Sequence, residues 1–195
     1  MKLINHLFKN FMYETFRIFF EGLEKKFCQE IAINLYPRKF QDKEEIISVD
    51  QGSKNLYFLV KGKVSICSKD GSIAYVDLPH NTYFGDYLIF FRLRSSNAFI
   101  SDGESEVLCI KKKKFLEICD MFPNAAKQLK YRAFLRRKFI RKTKKAVEEF
   151  NEKRITEEEK DKNPNFLNEI MKGSSGNTTN KVINEPSRLN FIRLG

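Results

Sequence analysis

Apolar residues in the first stretch of the chain recur at helical steps. Phe8, Phe11, Met12, Phe16, Phe19 and Phe20 lie three and four residues apart, and Leu23, Phe27, Ile31 and Leu35 continue at steps of four. This spacing predicts helix over residues 3–35. Gly22 is expected to break it in two, and Pro37 to end it, because proline cannot continue the hydrogen-bond ladder. The aromatic stripe is expected to pack on whatever follows.

From Tyr36 the period changes from about four to two. Ile46, Ile47 and Val49 form a short strand candidate, and Asp50-Gln51-Gly52 a turn. Leu56 to Val60 is a near-continuous β-prone run. After Lys61-Gly62-Lys63, the residues Val64, Ile66 and Ser68 alternate with Ser65, Cys67 and Lys69. Asp70-Gly71 is the strongest hairpin signal in the chain. Ile73 to Leu78 returns, and Pro79-His80-Asn81 turns again. Residues 97–110 read as two further strands joined at Asp102-Gly103. Short strands at such even spacing suggest a sandwich or barrel rather than βαβ units.

Between these strands lies Asn81 to Ser101. Gly85 admits dihedrals closed to other residues and lets a ligand approach the backbone. A short helix starting at Gly85 or Asp86 would aim free N–H groups at an anion. Arg92 or Arg94 could pair with the same group, and Asp86 could accept from hydroxyls. A sugar phosphate meets both needs.

Two helices are expected afterwards. Phe115, Leu116, Ile118, Cys119 and Phe122 give the first an apolar side behind the lysine run Lys111 to Lys114, and Pro123 ends it. Asn124 is expected to cap a long helix reaching about Phe150. Leu129, Ala133, Ile140 and Val147 share one side of it, with Tyr131, Leu135 and Phe139 adjoining. Lys127 to Lys145 carries ten Lys and Arg and no acid. Such a helix can serve as a lid, lie on an anionic membrane surface, or be a calmodulin-type target. Residues 151–195 read as a polar, mobile tail with a short helix at Asn165 to Met171.

Composition narrows the function. The 195-residue chain is 42% hydrophobic, with 19 Phe and no Trp, and carries a net charge of +11. It can bury one proper core, and it favours acidic partners. The four cysteines, Cys28, Cys67, Cys109 and Cys119, form no CxxC pair, and there are two histidines. A zinc site is not expected, and Cys28, Cys67 and Cys109 read as buried, reduced thiols. No run approaches the length of a membrane span, so a cytoplasmic location is expected. No acid–base pair, nucleophile motif or metal cluster suggests an enzyme or a cofactor.

LYFLVKGKVSI, Leu56 to Ile66, resembles the strand–glycine–strand signature of the cyclic nucleotide-binding domain family. Phe84-Gly85-Asp86 stands where that family carries Phe-Gly-Glu. Leu108-Cys109-Ile110 and Met121-Phe122-Pro123 are similar to its last strand and the helix before its lid. The resemblance covers residues from about 20 to 145. It implies a mixed α+β fold, an antiparallel jelly-roll-like β-roll of about eight strands, flanked by N-terminal helices and a C-terminal lid helix. Residues 1–35 would be linker-like helices, 36–150 the domain and 151–195 a tail.

The implied ligand is cAMP or cGMP. Phe84, Gly85, Asp86 and Tyr87 would form its cassette, with Gly85 and Tyr87 offering backbone N–H groups and Asp86 taking the ribose hydroxyl. Arg94 is the candidate phosphate arginine, with Ser95 and Ser96 beside it. Counting back from the last strand instead puts Ser95 at the arginine's place. The Gly-Asp variant resembles the ether-à-go-go potassium-channel branch. The resemblance implies a regulatory module on the cytoplasmic side of a cation channel, partnered by channel subunits or by copies of itself. The alternative is a nucleotide-independent domain acting in channel assembly. No helix-turn-helix follows the lid, so nucleic acid is not expected as a partner, and the basic helix 127–145 is the candidate contact with an anionic membrane.

Overall fold

The computed structural model describes residues 10–162, with side chains through residue 156. The helices α1 (residues 10–15), α2 (Arg17–Phe20) and α3 (Lys25–Ile33) lead into the strands β1 (Tyr36–Phe40), β2 (Glu45–Ile47), β3 (Asn55–Cys67), β4 (Ala74–Pro79) and β5 (Tyr83–Phe84). Then come α4 (Asp86–Phe90), β6 (Ala98–Lys111), α5 (Lys112–Met121) and α6 (Pro123–Lys162).

All strand pairs are antiparallel, and every one includes β3 or β6. The first half of β3 pairs with β5 and with the end of β6, whose other edge carries β1. The second half of β3 pairs with β4 and with the start of β6, whose other edge carries β2. The sheet has six strands, but the two long ones each serve twice, which yields the eight segments of a jelly-roll-like β-roll. The strand runs expected on either side of Lys61-Gly62-Lys63, and of Asp102-Gly103, are therefore single bent strands. The bend lies where the β3–β6 register slips, between Leu59 and Lys63. Gly62 has φ +88°, and a Cβ there would sit 2.5 Å from the Glu104 carbonyl oxygen. Only glycine lets the two strands touch at this corner.

Alternation along β3 builds two cores. Leu56 and Phe58 point to the helical layer, where they meet Met12, Phe16, Phe19, Phe27 and Phe115. Tyr57 and Leu59 point into the roll, with Phe40, Val64, Ile66, Phe84 and Phe99. Both faces are covered, so the run reads as continuously apolar rather than alternating. The N-terminal stripe packs as expected at Met12, Phe16, Phe19 and Phe20, while Phe8 lies outside the described residues. Phe19 stands 4.9 Å, ring centroid to centroid, from both Phe58 and Tyr83, edge to face. Phe11 is the exception, 45% exposed.

Several boundaries differ from the sequence reading. The first helical stretch is cut at Phe16 and at Gly22, and α3 ends at Ile33, before Pro37. Pro37 lies inside β1, which pairs on one side only, and an edge strand tolerates proline. Pro123 is the first residue of α6 rather than a terminator alone, and Asn124 therefore lies within the helix. Helix α6 also runs past Phe150 to Lys162, so residues 151–162 are helical, not tail. The helix expected at Asn165 to Met171 lies outside the described residues.

Substituting Gly62 by Ala should cost more than about 2 kcal/mol, combining backbone strain with the clash. Gly103→Ala, at φ +81° with nothing within 4 Å of its Cβ, should cost about 1 kcal/mol. Urea unfolding of both variants measures the difference, and equal losses would remove the steric corner from the account. The cysteines give a second check. Burial pushes Cys28 and Cys109 up to about 11 and Cys119 up to about 12, and raises Cys67. At pH 8 the native protein should resist Ellman's reagent, and all four thiols should react in denaturant.

Candidate functional site

The segment after β5 forms a compact corner. Gly85 takes φ +92° as the residue before α4, and a Cβ there would meet the Asn55 carbonyl and Ser53 Oγ, each at 2.9 Å. The corner turns the chain so that Phe84 enters the roll interior and Asp86 opens α4 on the side facing α6. A one-turn helix results, as the sequence predicts, and the carboxylate at its start is buried.

Asp86 is 2% exposed. Its Oδ1 lies 3.3 Å from Nη1 of Arg136, a side chain on α6 that is itself 8% exposed. The same Nη1 donates to the Tyr83 carbonyl at 2.8 Å, and the guanidinium stacks 3.8 Å above the Tyr83 ring. The acid is thus held by the lid helix. Burial pushes the Asp86 carboxyl above the ordinary aspartate range, against the pull of Arg136 and of nearby backbone N–H groups. Burial also opposes the charge on Arg136, but Asp86 and Tyr83 outweigh it and the guanidinium stays protonated. Asp86 Oδ2 has no hydrogen-bond partner among the described residues.

The remaining candidates lie in two groups. Phe84, Gly85, Asp86 and Tyr87 are together and buried. Ser95 is buried as well: it is 1% exposed, and its Oγ donates to the Asn97 carbonyl at 2.6 Å. Arg94 and Ser96 are exposed. The Arg94 guanidinium reaches the Asp50 carbonyl at 3.4 Å, on the β2–β3 loop. Of the two register counts for the cassette arginine, one falls on the buried Ser95 and the other on the exposed Arg94.

Helix α6 closes the mouth of the roll. Ala133 and Ile140 enter the interior cluster, with Phe139 and Val147 packed against it. Farther along, Lys144 donates to Asn97 Oδ1 at 3.0 Å and lies 5.1 Å from the centre of the Tyr75 ring, while the Tyr75 hydroxyl donates to Glu148 at 2.9 Å. At its near end α6 is tied to the N-terminal helices. Arg132 donates to the carbonyls of Ile18, Phe19 and Glu21 at 3.2, 2.9 and 2.7 Å. Arg136 was not among the sequence candidates, because it looked like one more cation of a basic helix. Its position gives it away: residues 129, 133, 136, 140, 143 and 147 step by four and three along the inward stripe. Among the described residues, no group of three or more His, Cys, Asp or Glu is placed to hold a metal ion. None of their helices is long and apolar enough to cross a membrane.

The described residues thus form a β-roll with a glycine–acid corner under a C-terminal helix. Residues 37–122 match the family described as cyclic nucleotide-binding domain. Over 117 residues the chain is 26% identical to human (Homo sapiens) cyclic nucleotide-gated channel alpha-3, a match covering 56% of this chain and 17% of that protein. It is 25% identical to the Gallus gallus cyclic nucleotide-gated channel cone photoreceptor subunit alpha, covering 56% and 16%. It is also 25% identical to Rattus norvegicus cyclic nucleotide-gated channel alpha-2 over 119 residues, covering 58% and 18%. The match spans under a fifth of the length of these curated relatives.

The buried pair should be worth most when one member is missing. Arg136→Met leaves the Asp86 carboxylate buried without its cation and should cost about 3–5 kcal/mol in urea unfolding. Adding Asp86→Asn should recover much of that loss. If the single and double variants unfold alike, the two side chains are not coupled.

Proposed function

We propose that this chain is a cyclic-nucleotide-responsive regulatory module of a cation channel, acting by binding and relay rather than catalysis. The observation that carries the reading is the contact between the cassette acid and the lid: Asp86 is bonded to Arg136 of α6. A sugar hydroxyl that reaches Asp86 must share it with Arg136 or displace it. The phosphate would take the backbone N–H groups of Gly85 and Tyr87, with Ser95 and Ser96 beside it and Arg94 swinging in from the Asp50 carbonyl. Phe84 would anchor the corner from inside the roll.

Relay then follows from packing. A displaced Arg136 frees the middle of α6, and Arg132, one turn earlier, holds the carbonyls of α2 and the turn after it. Movement of α6 is therefore felt by the N-terminal helices, which in this reading make residues 1–35 the link to a pore and 36–150 the sensing domain. The ligand biases the lid by as much as its affinities for the two lid positions differ. Channel subunits, or copies of this chain, would be the partners, at the cytoplasmic face of a membrane.

A second reading has its own support. Arg94 is exposed and bonded away from the corner, and Ser95 is buried on Asn97. This arrangement suits a domain that keeps its lid closed and works in assembly without nucleotide.

Calorimetric titration of the full chain with cAMP and with cGMP separates the two. The first reading expects saturable binding at micromolar nucleotide, weakened about tenfold or more in Arg94→Ala by loss of a charge-assisted bond of about 1.5–3 kcal/mol. A folded sample that gives no heat with either nucleotide favours the second.

A further inference from the structure

Helix α6 carries two stripes with the same stepping. The inward one holds Ala133, Arg136 and Ile140 against the roll. The outward one holds Lys127, Tyr131, Phe134, Lys138, Arg141 and Lys142, all exposed. Tyr131 is 63% exposed and Phe134 49%, so two large rings stand in water between cations. No Asp or Glu occurs from residue 127 to 145. None of the four cations named is in an ion pair among the described residues. The next one along, Lys145, pairs with Glu149, where acids return. The face is therefore a basic strip about 22 Å long at 1.5 Å per residue, with aromatic rings in its N-terminal half.

We propose that this outward face of α6 docks on an anionic phospholipid surface. Charge complementarity identifies the occupant: long basic side chains flanking exposed aromatic rings are the composition that settles at the headgroup level of a negative bilayer. The fold argues against the other acidic partner such a helix attracts, a protein that wraps its apolar side. That side is already buried, with Ala133 and Ile140 at 0% and 3% exposure, and the helix is fixed to the cassette and to α2 by Arg136 and Arg132. A membrane plane needs only the face that is free. The inference does not rest on nucleotide binding, since none of the outward residues touches the cassette.

Sedimentation of the full chain with phosphatidylcholine vesicles containing phosphatidylserine, and with phosphatidylcholine alone, tests it. At about 0.1 M salt, binding should require phosphatidylserine, and it should fall away at about 1 M, where screening is complete within about 3 Å. The variant Lys138→Gln, Arg141→Gln, Lys142→Gln should keep the wild-type circular dichroism and melting point. It should bind on the order of a hundredfold more weakly, about fivefold per cation. Tyr131→Ser with Phe134→Ser should weaken binding as well. Absence of phosphatidylserine-dependent binding by the wild type overturns the proposal. So does undiminished binding by the charge variant, which would assign the contact to another segment. Capture by calcium-loaded calmodulin through these residues, with vesicles ignored, would also overturn it in favour of a protein partner.

Discussion

Every strand of the roll is hydrogen-bonded to β3 or β6, and these two strands can bend together only because residue 62 has no side chain. That corner sets the rest. It divides one long ladder into two facing layers, so that the first half of β3 is covered on one face by the N-terminal aromatics and on the other by the roll interior. Each fully buried Phe in those layers contributes on the order of 1.5–3 kcal/mol relative to exposure. The same half of β3 holds β5 in place, and β5 delivers Gly85 and Asp86 to the mouth.

The mouth is occupied by α6, through a contact of unusual chemistry. A buried carboxylate and a buried guanidinium are costly to desolvate, and their mutual attraction serves mainly to avoid leaving either one alone. Apolar residues of the same volume could close the roll as well or better. An ion pair instead makes closure sensitive to any group that competes for Asp86. In the proposed function, that sensitivity suits a helix that opens as well as shuts. Arg132 and Arg136, on adjacent turns, then couple the N-terminal helices and the cassette through one rigid helix.

Much of this was legible in the chain. The strand alternation, the Asp70-Gly71 hairpin, the aromatic stripe and the Gly85 corner follow from local periodicity and turn chemistry. The corner residues Phe84 to Tyr87 lie together as the motif suggests. Strand β1 was not legible, because Tyr36-Pro37-Arg38-Lys39-Phe40 has little apolar alternation and contains a proline. It forms because the free edge of β6 accepts it. The extent of α6 was not legible either: residues 151–162 are rich in charge, and they continue as helix from a well-anchored start.

What the sequence determined by itself was local: most of the helices and strands, the glycine corner after β5, and the acid that follows that glycine. Those features depend on neighbours within a few residues. What only the tertiary structure decided was which of many cations matters. Ten Lys and Arg crowd residues 127–145, and composition treats them alike. Packing turns Arg136 inward to Asp86, Arg132 to the carbonyls of α2, and Lys138, Arg141 and Lys142 to solvent. A side chain's charge is encoded in the chain; what that charge faces is set by elements tens of residues away.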